Sequence, residues 1–144
     1  MFERRPTVEE LKEEGKKIVE YQKNLTSFLE KVLKKANVWN NHSKIRSKLE
    51  NVGTKNCLLH CEIAKNNFSK PLTIIINGDH KDAEQMGMLV MIGTQEHKSF
   101  SCKCKHIEDP KGTKFIKYIT FSLGRQLMRY LIKQLREEKR EMAA

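Results

Sequence analysis

From residue 7 onward the apolar positions recur with a helical period. Leu11, Ile18, Leu25, Val32 and Trp39 lie seven apart with Tyr21 and Phe28 between them, which lays a heptad-like seam along one side of a helix. Thr7 and Glu10 have the spacing of a capping box, so the helix is predicted to begin there and to run to about Ala36. Acidic residues at its front (Glu9, Glu10, Glu13, Glu14) and lysines at its back (Lys31, Lys34, Lys35) follow the order that the helix dipole favours. Such a helix is about 45 Å long at about 1.5 Å per residue, against a radius of gyration of roughly 15 Å for a compact chain of this size. Two arrangements satisfy that mismatch. In one, residues 7–37 form a dimerising or partner-binding helix whose contact surface is Leu11, Ile18, Leu25, Phe28 and Val32. In the other, the helix breaks near Gly15 and the seam packs on the chain's own sheet.

Ser43 has the character of a cap for a short second helix with Ile45 and Leu49 on one side, ending near Asn51 and Gly53. Beyond it the period falls to two. Residues 56–65 put Cys57, Leu59, Cys61 and Ile63 on one face, and residues 72–77 are β-branched. Residues 86–92 are apolar on both faces, as in a central strand. Phe100, Cys102 and Cys104 then alternate with polar neighbours, and residues 114–121 make a fifth strand. Ser122 caps a last helix running to about Met142. Two N-terminal helices, a five-stranded and mostly antiparallel meander, and a C-terminal amphipathic helix on the sheet define a single α+β domain over residues 1–144.

Charge adds a direction to this picture. The 144 residues hold 28 Lys and Arg against 18 Asp and Glu, a net +10. Residues 1–50 carry 12 basic and 8 acidic side chains, residues 51–100 carry 5 and 5, and residues 101–144 carry 11 and 5, so the surplus is greatest at the C-terminal end. On the last helix Leu123, Leu127, Leu131 and Leu135 form one stripe. Arg125, Arg129, Lys133, Arg136 and Arg140 share an arc of about 80° almost opposite to it, at 100° per residue. Lys103 and Lys105 on the adjoining strand extend the row if they fall on the same side. Phe115, Tyr118 and Phe121 have the residue types of a base-stacking platform, but their alternation with Ile116 and Ile119 favours core packing.

Little in the chain suggests catalysis. Cys57, Cys61, Cys102 and Cys104 lack the tight-turn spacing of zinc ligands and lie on apolar strand faces, so they are expected in the core, with no metal and no cofactor. Cys61 with His60 or His106 lacks an orienting third group, and the acidic loop Asp79, His80, Asp82, Glu84 lacks the spacing of a calcium loop. Phosphate-binding, dinucleotide, zinc-protease and serine-hydrolase signatures are all missing. No apolar run approaches the roughly 20 residues of a membrane span. The charged start of the chain lacks a signal-peptide core, which predicts a nuclear or cytoplasmic address. The expectation is a non-enzymatic module that binds an anionic ligand, nucleic acid first and an acidic protein second, as a homodimer or a subunit of a complex. The alternative is a protein-protein adaptor with no nucleic-acid contact.

Overall fold

The computed structural model describes residues 7–51, 58–77, 85–94, 96–103 and 122–143. A helix α1 (Val8–Lys35) is followed by five strands and a last helix. The strands are β1 (Lys44–Glu50), β2 (Leu58–Ala64), β3 (Leu72–Asn77), β4 (Gln85–Ile92) and β5 (Glu96–Lys103), and the helix is α2 (Leu123–Ala143). The strands form one sheet in chain order with every neighbouring pair antiparallel. The fold is α+β, and the described helices contain none long and apolar enough to cross a membrane.

The register explains the core. Leu59, Ile76, Met88 and Phe100 face one another across β2 to β5, and Ile63, Leu72 and Ile92 form a parallel row. These side chains, with Cys61, Ile74 and Val90 between the two rows, share the face on which the helices lie. α1 packs against β1 and α2, and α2 packs against β5, so the two helices lie side by side and cover that face.

Thr7 caps α1 by accepting a hydrogen bond from the Glu10 N–H at 3.1 Å, as its spacing predicts. Among the described side chains of α1, the buried apolar positions are broader than a heptad-like seam. Leu25, Phe28, Leu29, Val32, Leu33 and Ala36 are all buried, a broad stripe of three and four spacing that suits a helix lying on a sheet. At its end Asn37 takes a left-handed conformation (φ 65°) and donates to the Lys34 carbonyl at 3.1 Å, while the Val38 N–H reaches Leu33 at 3.0 Å. These are the two bonds of a Schellman stop, with Val38 and Leu33 both buried beside it.

The helix expected after Ser43 is instead β1. Residues four apart share a face in a strand as well as in a helix, so Ile45 and Leu49 satisfy both periods. What separates them is Ser47, which stands between Ile45 and Leu49 on the helix-facing side. There it accepts from the Gln22 side-chain amide at 3.2 Å and is hydrogen-bonded to the Thr26 hydroxyl at 3.1 Å, so α1 supplies partners for a polar residue under its edge. Ser43 has a different duty from capping. Its hydroxyl accepts from the Asn40 N–H at 3.0 Å and donates to the Lys65 carbonyl at 2.9 Å, tying the α1–β1 link to the end of β2. The strand expected at 114–121 lies outside the described residues.

Candidate functional site

α2 is set by its leucines. Leu123, Leu127, Leu131 and Leu135 are buried, so the helix can lie on the sheet in only one rotation. Gln126 anchors its start, its side-chain amide donating to the Ser122 carbonyl at 3.2 Å. That rotation leaves Arg125, Arg129, Lys133, Arg136 and Arg140 exposed. Glu138 turns away from them and accepts from the Ser69 N–H of the β2–β3 loop at 2.7 Å. Among the described residues, no carboxylate comes within ion-pair distance of any of the five cations. The five side chains lie exposed along about 20 Å of helix, by a rise of about 1.5 Å per residue.

The basic lining continues onto the sheet through Lys98, which lies outside the row that the helical period marks. Lys98 stands opposite the buried Val90 in the β4–β5 register, two residues from Phe100, and thus on the face that the helices cover. Lys98 is exposed and lies beside α2. Between Lys98 and the helix is an open groove of about 500 Å³, lined by Lys98, Phe100, Gln126, Arg129, Tyr130, Lys133 and Gln134. Three cations, two aromatic rings and two amides line it, with no carboxylate among them. Phe100 and Tyr130 meet edge to face, with centroids 5.7 Å apart and planes at 69°, and both pack against the core.

Only some of the other residues singled out from sequence are described. Lys103 ends β5, where it pairs with Gln85, and Lys105 lies outside the described residues, as do Phe115, Tyr118, Phe121 and the acidic loop of residues 79–84. Leu25, Phe28 and Val32 are buried in the chain's own core. α1 lies over the β1 side of the sheet. Leu11 is exposed at 57%, and the side chain of Ile18 lies outside the described ones.

Cys61 is buried between Leu59 and Ile63, and burial pushes its thiol up from the ordinary 9.0 to about 12. Burial therefore keeps this thiol protonated near neutral pH. Cys57, Cys104 and the side chain of Cys102 are outside the described set. Compared with known proteins, the chain matches no family model, no curated protein and no solved structure.

Proposed function

We propose that the protein is a non-enzymatic binding module whose ligand is a nucleic acid, held along the basic face of α2. The observation that supports this most is the exposed row Arg125, Arg129, Lys133, Arg136 and Arg140, which faces solvent with no ion-pair partner among the described residues. Exposed cations in line on a rigid element suit a polyanion. Each phosphate contact releases condensed counterions, and the gain grows with the number of contacts. Arginine dominates the row, and its planar fork suits phosphate oxygens better than a lysine point charge does.

The triple charge reversal Arg125→Glu, Arg129→Glu, Lys133→Glu tests the reading. All three side chains are exposed, so the variant is expected to keep the circular dichroism and melting behaviour of the parent while its affinity for a labelled oligonucleotide falls more than about tenfold. An affinity unchanged by the reversal rules the α2 face out as the binding surface. A preference for a polyglutamate chain over nucleic acid makes the ligand an acidic protein.

A further inference from the structure

The groove between β5 and α2 differs from the rest of the basic face in combining rings and amides with its charge. Arg136 and Arg140, further along α2, do not line it, whereas Arg129 and Lys133 do. We propose that this groove seats an unstacked base of a single-stranded nucleic acid, with Tyr130 and Phe100 as the apolar surface under the base. Arg129, Lys133 and Lys98 then hold the phosphates on either side. The proposal rests on the reading of α2 as a nucleic-acid interface and adds the form of strand it selects.

Three features favour a single strand. A base inside a duplex already has both faces stacked and cannot enter a groove, whereas an unpaired base gains an aromatic neighbour on entering one. Gln134 supplies amide donors and an acceptor, and Gln126, whose amide N–H donates to the Ser122 carbonyl, keeps its side-chain oxygen as an acceptor, so the two can meet the Watson–Crick edge that a duplex hides. Lys98 lies on the sheet and the other two cations lie on the helix, so positive charge flanks the rings from both walls. A backbone that dips into the groove meets cations on both sides, while a duplex resting on the α2 row has no reason to reach Lys98. None of the seven described lining residues is a carboxylate, so these residues set up no charge repulsion toward phosphate.

The test compares a fluorescein-labelled single-stranded oligonucleotide with a hairpin duplex of the same composition, binding to the full chain. The expected result is tighter binding of the single strand. Tyr130→Leu is expected to weaken that binding about 5- to 150-fold, as for one lost stacked base, and to leave duplex affinity within about twofold. Tyr130→Phe, which keeps the ring, is expected to bind as the parent does. Tyr130 packs against the core, so a second variant guards against loss of folding: the exposed Lys98→Glu is expected to weaken the single strand and spare the duplex. Losses equal for the two forms in these variants, or no loss in either variant, overturn the groove proposal while leaving the α2 interface intact. If the parent binds neither form, the α2 reading fails and the groove proposal with it.

Discussion

Asn37 and Cys61 show how single side chains are constrained by where the fold puts them. The left-handed turn at Asn37 (φ 65°) is tolerated by Asn and open to Gly, but a Cβ-bearing Ala there meets its own carbonyl. Asn37→Ala is expected to lower stability by about 1 kcal/mol in urea denaturation, and Asn37→Gly to lower it by less or raise it. The Asn37 carbonyl accepts from the Asn67 side-chain amide at 2.7 Å in either case, so the contrast isolates the backbone. Cys61 makes a pH prediction. Because its folded value is raised to about 12 from 9.0, the unfolded thiol loses its proton first, and its contribution is intact below about pH 9 and lost as pH climbs toward 12. Stability measured across that window is expected to decline less steeply in Cys61→Ala than in the parent, whatever the offset between them at neutral pH. Slow reaction of this thiol with an alkylating reagent, native against unfolded, provides a second reading of the same burial.

At the scale of elements, legibility in the sequence followed how far each pattern excluded its rivals. α2 was legible because its leucine stripe and its arginine row occupy opposite arcs of one period, which no strand reproduces. The strands 72–77 and 86–92 were legible from their composition. β1 was not, because Ile45 and Leu49 fit both periods and the deciding residue, Ser47, is polar on an inward position whose partners Gln22 and Thr26 lie more than twenty residues earlier. The seam of α1 was visible as a pattern, but a period does not name the surface it meets. The groove was half legible. Tyr130 falls between the two arcs of α2 in any helical projection, and counting back by two from Phe100 reaches Lys98, but only the register of β5 against β4 brings them together. Leu29, fully buried in α1 against that sheet, supplies the energetic test of this packing: Leu29→Ala is expected to cost about 2–5 kcal/mol by thermal or urea unfolding.

Across the whole molecule, a sheet covered on one face by two helices gives the cations of α2, part of a surplus of +10, a single direction. The buried leucines of α2 fix its rotation, the bond from Ser69 to Glu138 removes a nearby acid from the row, and β5 carries Lys98 to the same margin. The salt dependence of single-strand binding tests most directly whether that margin is a nucleic-acid interface. With five cations on the row and Lys98 beside it, a plot of log affinity against log salt is expected to fall steeply, at roughly −0.7 for each phosphate contacted. Replacing Arg125, Arg129 and Lys133 together is expected to make that slope shallower by about 2. A slope and affinity that are the same in parent and variant, or no binding by the parent at roughly 50 mM salt, would contradict the assignment of α2 as the binding face.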